Sequence, residues 1–373
     1  MKVALIHDHL AQDGGAERTL RVLTELFPDA PIYTLLYDKK NVEKNFKGKH
    51  IEASIIQKLP WGVTHYRWYL LFMPIAVEFF DLSSYDLVIS DASAFAKGVI
   101  TNTETLHICY CHTPTRYLWS DTHQYINELK YNKYFKKVIS LTLSYLRIWD
   151  RAAAGRVDRY IANSKFISRR IKKYYDREST VIYPPIDVEN FKPAEQVGDF
   201  YLSGGRLVPY KRFDIVIEVF KKLPNKKLKI FGSGLDLERL KKIAGDASNI
   251  EFLGRVSDEE RTELYAKCLA FINPQEEDFG ITPIEAMASG RPVIAYGKGG
   301  VKETIISKKT GEFFYEQTGE SIYEVLKDFD PNSYDTKFIR AHSEQFSKER
   351  FKQEIKRYIE NEYKCFAEDK CDL

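Results

Sequence analysis

Short apolar runs recur along this chain, separated by stretches in which hydrophobic residues stand three or four positions apart. The first pattern is typical of buried strands and the second of amphipathic helices. The helical spacing is clearest at residues 16–27 and 166–175. Alternation of the two patterns predicts parallel sheets with helices on both faces, an α/β fold. In the first half the predicted strands are Val3–Ile6, Ile32–Leu36, Leu87–Ile89, Leu106–Cys109, Arg159–Ala162 and Val181–Tyr183.

The same rhythm begins again in the second half, after a segment that contains several prolines. Residues before proline are disfavoured in helices, so the Pro184-Pro185 pair and Pro193 indicate an extended linker. We therefore place a domain boundary near residues 184–197. After Phe329 the strand pattern stops, and residues 347–363 predict one amphipathic helix. The strands predicted in the second half are 199–203, 228–231, 250–253, 269–272 and 293–295.

Length and composition indicate a globular protein of about two domains. The chain has 373 residues, of which 44% are hydrophobic, and its formal net charge of +3 gives no reason to expect a nucleic-acid partner. The N-terminus has the pattern of a strand and not of a secretion signal. The longest charge-free apolar runs are about half the ~20 residues that a membrane span needs. With five cysteines in no zinc-binding spacing, we expect a cytoplasmic protein.

The richest motif of the chain is an acidic loop followed by a predicted helix in the second half. Glu277 and Glu285 stand eight positions apart, with Gly280 between them. Thr282 is a candidate helix cap, and Pro283 suits the first turn. Free backbone N–H groups at a helix N-terminus attract phosphates and hydroxyls, and carboxylates accept hydrogen bonds from the diols of a ribose or hexose. The motif therefore predicts a phosphate or sugar site.

Two glycine-containing loops at predicted strand ends add candidate phosphate contacts. Arg206 and Lys211 follow Gly204-Gly205, and a guanidinium and an ammonium can together neutralise a diphosphate. Gly14 and Gly15 precede the first helix, where glycine allows close approach of the backbone to a ligand. Their spacing does not support a dinucleotide-binding domain. Ordinary surface loops with solvated charges are the alternative interpretation of both segments.

A histidine and several aromatic residues follow the fourth predicted strand. His112 stands at the carboxyl end of that strand, where α/β sheets place their ligand-binding groups. Tyr117 and Trp119 are acceptor candidates because aromatic faces pack against sugar rings, and Arg116 lies beside them. Packing in the core is the alternative role for these rings.

Together these motifs resemble the family 4 retaining glycosyltransferases, which have the GT-B fold. The resemblance covers nearly the whole chain and is strongest from residue 203 to residue 303. It implies two Rossmann-like domains that face each other across a cleft: an acceptor domain at residues 1–190 and a nucleotide-sugar donor domain at 191–344. It also implies that a final helix, at about 345–373, crosses back to the first domain. The chain departs from the family pattern at Arg212, where glycine is usual.

The resemblance also implies roles for individual residues. His112 and Glu277 would act at the transferred sugar, while Arg206 and Lys211 would hold the donor diphosphate. We expect Glu285 to bind the ribose. No metal and no cofactor is expected, because enzymes of this fold neutralise the leaving diphosphate with protein groups and helix dipoles. Further donor contacts are expected from Gly14, Gly15, Phe279, Gly280, Ile281 and Thr282.

The segment from Cys109 to Trp119 resembles mannosyltransferases that build bacterial O-antigens. We therefore expect transfer of a hexose, with mannose favoured, from a GDP-linked or, as the alternative, a UDP-linked donor to a lipid-linked saccharide of a surface polysaccharide. Two other hypotheses stay open: a sugar-nucleotide 2-epimerase on the same fold, and a nucleotide-sugar-binding module without catalysis.

Two segments rich in aromatic residues and cations bear on where the protein acts. One contains Trp61, Trp68 and Phe72, and the other places Tyr131, Tyr134 and apolar residues up to 148 on one helix face. Such segments suit either the inner face of a membrane, where cations meet anionic lipid, or internal helix packing.

Overall fold

The computed structural model describes residues 1–128 and 132–368, which divide into two compact units. The first unit comprises Met1–Pro185 together with the chain from Phe351 onward, and the second comprises Ile186–Arg350. Each unit is built on one sheet in which all paired strands run parallel. The predicted α/β class is therefore confirmed.

The sheet of the first unit has the strand order β3-β2-β1-β4-β5-β6-β7. Because its strands are parallel, their carboxyl ends lie along one edge, and β1, β4 and β5 are neighbours there. The strands are β1 Val3–His7, β2 Ile32–Thr34, β3 Ile51–Ala53, β4 Leu87–Ala92, β5 Leu106–Cys111, β6 Arg159–Ala162 and β7 Thr180–Val181. The helices are α1 Gly15–Leu26, α2 Lys39–Asn45, α3 Met73–Glu78, α4 Thr122–Glu128, α5 Lys133–Ala154 and α6 Lys165–Tyr175.

The sheet of the second unit has the strand order β10-β9-β8-β11-β12-β13. Here β8 and β11 are neighbours, so the loops that follow them meet at the same edge. The strands are β8 Phe200–Gly204, β9 Lys227–Phe231, β10 Ile250–Gly254, β11 Phe271–Asn273, β12 Val293–Tyr296 and β13 Gly311–Phe314. The helices are α7 Phe213–Lys222, α8 Leu237–Ala244, α9 Asp258–Lys267, α10 Ile281–Ala288, α11 Val301–Thr304, α12 Gly319–Asp328 and α13 Thr336–Ser343.

The last helix, α14 Lys348–Ala367, completes a core of the first unit. Strand β1 sends Ala4 and Ile6 into one hydrophobic core and Leu5 into another, as the alternation of side chains along a strand requires. The second of these cores also contains Phe351 and Ile355 of α14. The apolar stripe of the predicted C-terminal helix is thus buried in the first unit.

The structure departs from the sequence predictions in two respects. Strands β3 and β13 were not predicted; both lie at sheet edges, where charged residues such as Glu52 and Glu312 interrupt the apolar run. The predicted start of α10 was wrong as well. The helix begins at Ile281, and its N-cap is Gly280 with φ of 103°, a conformation that favours glycine over the predicted cap Thr282.

Candidate functional site

Two predicted motifs of the second unit meet at the carboxyl edge of its sheet. Lys211 follows β8 and Glu277 follows β11, and the Nζ of Lys211 lies 3.3 Å from Oε1 of Glu277. Their side chains are only 14% and 21% exposed. Sixty-six positions separate them in sequence, and the adjacency of the two strands brings them together. A cation and a carboxylate that share one edge can contact a phosphate and a sugar hydroxyl, respectively.

Gln275, which the sequence analysis did not single out, and the glycine loop after β12 hold Glu277 in place. The buried Gln275 donates from Nε2 to Oε1 of Glu277 at 2.7 Å, while its own Oε1 accepts no hydrogen bond within the described residues. Gly300 donates its backbone N–H to the carbonyl of Glu277 at 2.8 Å. At Gly299 a Cβ would lie 2.2 Å from that carbonyl oxygen, so only glycine fits. The glycine pair after β12 was the available signal for this contact.

The other two cations of the loop after β8, the predicted clamp residue Arg206 and the unassigned Arg212, are more exposed than Lys211. Arg206 is exposed and donates from Nη2 to the hydroxyl of Tyr210 at 3.2 Å. Arg212 adopts the left-handed conformation, with φ of 56°, and its Nε lies 3.2 Å from Oδ1 of Asp214. The family's usual glycine at position 212 therefore corresponds to a backbone conformation that costs an arginine of order 1 kcal/mol.

Other predicted donor residues are placed on and before α10. Glu285 is 1% exposed, and its Oε1 lies 3.9 Å from Nη2 of Arg261. The buried ring of Phe279 packs edge-to-face against Phe346, so this side chain anchors the loop. Ile281 and Thr282, by contrast, are partly exposed at the start of the helix. The assignment of Glu285 to a ribose stays a prediction.

In the first unit, His112 ends a chain of buried ionisable groups. Its Nε2 lies 2.6 Å from Oδ1 of Asp91, and the other carboxylate oxygen of Asp91 lies 2.8 Å from Nδ1 of His7. The Nε2 of His7 lies 3.9 Å from Oε1 of Glu17. The side chain of His112 is 12% exposed, whereas that of Asp91 is fully buried. Asp91 therefore fixes the orientation of His112, the partly exposed imidazole of this network.

Electrostatic coupling sets the protonation of this network. Burial disfavours the charged form of His7, but its hydrogen bonds with Asp91 and Glu17 raise its pKa to about 10. Burial likewise opposes ionisation of Asp91, and attraction to His112 and His7 overcomes it, so the pKa of Asp91 lies below its usual value. The pKa of Glu17 is lowered in the same way by His7. At neutral pH the network is thus an imidazolium between two carboxylates.

The glycine loop before α1 is tied to this network. Gly14 is the N-cap of α1, and its backbone N–H donates to Oε2 of Glu17 at 2.9 Å. Gly15 begins the helix, as the predicted phosphate contact requires. Glu17 therefore connects the loop to His7, and through Asp91 to His112. Because Asp91 lies 84 positions after His7 in the sequence, no local motif predicted this network.

The predicted acceptor residues contact other parts of the first unit. Arg116 Nε lies 2.7 Å from Oδ2 of Asp121, and the ring of Tyr117 lies 5.5 Å from that of Tyr125. Trp119 donates from Nε1 to Oδ2 of the buried Asp150 at 2.7 Å. These contacts favour a structural role for Trp119, and acceptor binding by the three residues stays a prediction.

The segments with aromatic residues and cations lie at the surface of the first unit. Trp61, Trp68 and Phe72 are 65%, 64% and 57% exposed. On α5 the predicted apolar face is exposed as well, with Leu141 at 68%; Tyr131 lies outside the described residues. Internal packing was therefore the wrong alternative for these side chains. Among the described residues, no helix combines the length and the apolar character needed to span a membrane.

Comparison with known proteins identifies the family. Residues 13–190 match glycosyltransferase family 4, and residues 186–329 match the glycosyl transferases of group 1. The chain belongs to the family 4 glycosyltransferases. The alpha-1,3/1,6-mannosyltransferase of Mus musculus is 24% identical to it over 401 residues, which cover 93% of each protein. The enzyme of the same name from Dictyostelium discoideum is 26% identical over 292 residues, covering 65% of this chain and 66% of the relative.

Solved structures show the fold of this glycosyltransferase. The Anabaena protein HepE in complex with UDP superposes with a TM-score of 0.71 at 18% identity, covering 97% of this chain and all of that one. Sucrose-phosphate synthase from Thermosynechococcus elongatus gives a TM-score of 0.72 at 14% identity, covering 98% of this chain and all of that one. The two Rossmann-like units are therefore those of the GT-B fold, as the resemblance implied.

Proposed function

We propose that this glycosyltransferase transfers a hexose, with retention at the anomeric carbon, from a nucleoside diphosphate sugar to a lipid-linked saccharide of a surface polysaccharide. The observation that carries the proposal is the contact of Lys211 with Glu277, because it brings the phosphate motif and the sugar motif to one sheet edge. Mannose is the favoured sugar, since two relatives are named mannosyltransferases. A GDP-linked donor is favoured with it, and the UDP complex of HepE supports a UDP-linked donor as the alternative.

Within the second unit, the donor would contact side chains that the fold already holds in place. The exposed Arg206 and the partly exposed Lys211 neutralise the diphosphate. Lys211 also keeps its contact with Glu277, so that the carboxylate is oriented toward the hydroxyls of the sugar. Gln275 and the Gly299-Gly300 pair prevent Glu277 from turning away.

Within the first unit, the buried network would hold His112 ready for the transferred sugar. A carboxylate next to Nε2 favours the tautomer that carries its proton there, which leaves Nδ1 to contact a hydroxyl. In the transfer, the bond from the anomeric carbon to the diphosphate breaks and a bond to the acceptor oxygen forms on the same face. The acceptor proton goes to the departing phosphate oxygen, so the step needs neither a protein nucleophile nor a metal.

The first experiment separates transfer from the two other hypotheses. The full chain is screened by thermal shift against GDP-, UDP- and dTDP-sugars, and then incubated with the best donor and a lipid-linked acceptor. Formation of a new glycolipid in EDTA, with an axial linkage from an axial donor by NMR, supports the proposal. Epimerised donor identifies an epimerase, and binding without chemistry identifies a binding module; either result would overturn the proposed transfer.

The second experiment tests the diphosphate contacts. Removal of Arg206 or Lys211 by substitution with Ala deletes a charge-assisted bond of roughly 1.5–3 kcal/mol, so the donor KM should rise about 10- to 150-fold. Lys242→Ala, which removes an exposed cation of α8, is the matched control and should leave the donor KM unchanged. Donor binding by Arg206→Ala as tight as that of the wild type would exclude the assignment.

A further inference from the structure

An apolar cavity of about 650 Å³ lies in the first unit between the end of β3 and α3. Its volume is in the range of small-molecule sites, roughly 300–1,000 Å³. Its lining is almost entirely hydrocarbon and includes Ile55, Leu59, Phe72, Ile75 and Phe79. Phe72, Ile75 and Phe79 are also more than half exposed. Since soluble proteins seldom expose contiguous apolar surface without a use for it, this open cavity is a candidate binding site.

The charges around the cavity suit a ligand with an anionic head. Within residues 53–80 the exposed cations are Lys58 and Arg67, and the carboxylate Glu78 is paired at 2.7 Å with Arg156; the exposed Glu52 and Asp81 flank this segment at its two ends. Glu78 also accepts a hydrogen bond of 2.8 Å from Nε1 of Trp149, which joins α3 to α5.

Helix α5 extends this surface. Residues 133–149 contain four cations and no acidic residue, beside the exposed apolar face that includes Leu141. An apolar cavity beside α3, together with a basic helix that is joined to α3 and exposes an apolar face, fits an amphiphile whose polar end carries phosphate.

The topology places the cavity at the same sheet edge as His112. Ala53 ends β3 and lines the cavity, while His112 directly follows β5, four strands away in the sheet order. At ~4.8 Å per strand the two strand ends are about 20 Å apart. His9, just after β1, packs its ring against Tyr66 at 5.3 Å and so brings the cavity segment to this edge. The cavity and His112 therefore lie along the same edge of one sheet.

We propose that the cavity binds the hydrocarbon tail of the lipid-linked acceptor, which extends its saccharide along the sheet edge to His112. The identity of the acceptor rests on the proposed function, whereas binding of a tail does not require transfer. A bulk membrane lipid would account for the exposed aromatic surface, but not for an apolar cavity of this volume at the edge that carries His112. The hydrocarbon tail of the acceptor is therefore the occupant that fits both the apolar lining of the cavity and its position at the sheet edge of His112.

A binding experiment tests the cavity without any reaction. Farnesyl phosphate, and inorganic phosphate as the control ligand, are titrated into the full chain and followed by tryptophan fluorescence. The double variant Ile75→Gln/Phe79→Gln makes the mouth of the cavity polar. Ile100→Gln is the matched control, because Ile100 is 49% exposed against 51% for Ile75 and does not line the cavity. We expect saturable binding of farnesyl phosphate by wild type and control, and at least tenfold weaker binding by the double variant. Equal binding by all three proteins would overturn the proposal.

Two further measurements distinguish an acceptor tail in the cavity from contact with bulk membrane lipid. If the double variant loses flotation on anionic phosphatidylglycerol vesicles but keeps farnesyl phosphate binding, these residues contact bulk membrane and the cavity assignment is wrong. In the transfer assay, the KM for an acceptor with an isoprenoid tail should be at least tenfold lower than that for the same saccharide on a short soluble tail, and the double variant should remove this difference. Tail binding without transfer to either acceptor would refute the proposed function and leave the tail site standing.

Discussion

Both units carry charged groups at the carboxyl edges of their parallel sheets. The groups of the second unit are partly exposed to solvent, whereas those of the first unit are buried. In the second unit, Lys211 and Glu277 lie 3.3 Å apart and remain partly exposed. In the first unit, His7 and Asp91 lie 2.8 Å apart with side chains at most 3% exposed. A partly exposed pair can accept a ligand beside its partner at small cost, whereas a buried pair cannot open without leaving a charge desolvated. The partly exposed pair of the second unit therefore suits ligand binding, and the buried pair of the first unit suits the positioning of His112.

The largest expected effect comes from breaking the buried network. Asp91→Ala leaves the charge of His7 buried beside a single distant carboxylate, and removal of one partner of a buried ion pair typically costs 3–5 kcal/mol. The free energy of unfolding, measured with denaturant, should fall by roughly that amount. Asp121→Ala, which removes the partly exposed partner of Arg116, is the control and should cost about 0–1 kcal/mol. Equal losses would mean that burial does not distinguish the two ion pairs.

The next effect separates the two glutamates of the second unit. Glu277→Gln removes the charge that faces Lys211, so it should lower kcat while affinity for the free nucleoside diphosphate stays unchanged. Glu285→Gln should weaken that affinity, if Glu285 binds the ribose. A hydrogen bond to a charged group is worth roughly 1.5–3 kcal/mol, so each effect should be at least about tenfold. Titration calorimetry with GDP and UDP measures the affinity. The control is Glu263→Gln, which removes the charge of an exposed glutamate paired with Lys267 and should leave the affinity unchanged. Equal changes in nucleotide affinity would refute the division of roles.

These differences also explain what the sequence could predict. In the second unit, Glu277, Gly280 and Glu285 are close in sequence, and Lys211 lies in a recognisable loop, so the motifs can be read from the chain. The contact of Lys211 with Glu277 needed the adjacency of β8 and β11, which no local pattern contains. Gln275 gave little signal because a single amide near a strand end is common.

The first unit was less predictable, for a physical reason. His7 ends β1, Asp91 lies 84 positions later near the end of β4, and His112 follows β5; the three strands are neighbours in the sheet. Each alone is consistent with an ordinary polar residue at a strand end, so only the assembled sheet reveals the network. The interior strands and the edge strands β7 and β10 were predicted from their apolar runs. The edge strands β3 and β13 were missed because Glu52 and Glu312 leave only short apolar runs in them.

A pH series would sharpen the contrast between the buried and exposed groups. The pKa of His7 is about 10 in the folded protein and about 6.5 in an unfolded chain, so its stabilising contribution is complete below pH 6.5 and is lost as the pH rises toward 10. Over this window the free energy of unfolding should fall by up to about 1.4 kcal/mol per pH unit because of this residue.

The variant His7→Gln should lack that part of the slope. His50→Gln, at a side chain that is 71% exposed, is the control and should keep it. The carboxylates act in the opposite direction: the pKa values of Asp91 and Glu17 are lowered, so their contribution is present above about pH 4 and is lost on acidification. A wild-type slope that persists in His7→Gln would show that His7 is not the titrating group.

The smallest expected effect tests the backbone of the exposed site. Arg212 holds φ at 56°, a conformation that costs a non-glycine residue about 1 kcal/mol and glycine almost nothing. Arg212→Gly loses the contact with Asp214 and raises the entropy of the unfolded chain, but it relieves this strain, so the protein should be stabilised by up to ~1 kcal/mol. Arg212→Ala loses the same contact without relief and should be neutral or destabilising. If both variants behave alike in denaturant melts, side-chain contacts and not backbone conformation decide this position. In that case ion pairs such as Arg212 with Asp214 hold the loop that carries Lys211, just as ion pairs hold the buried network of the first unit.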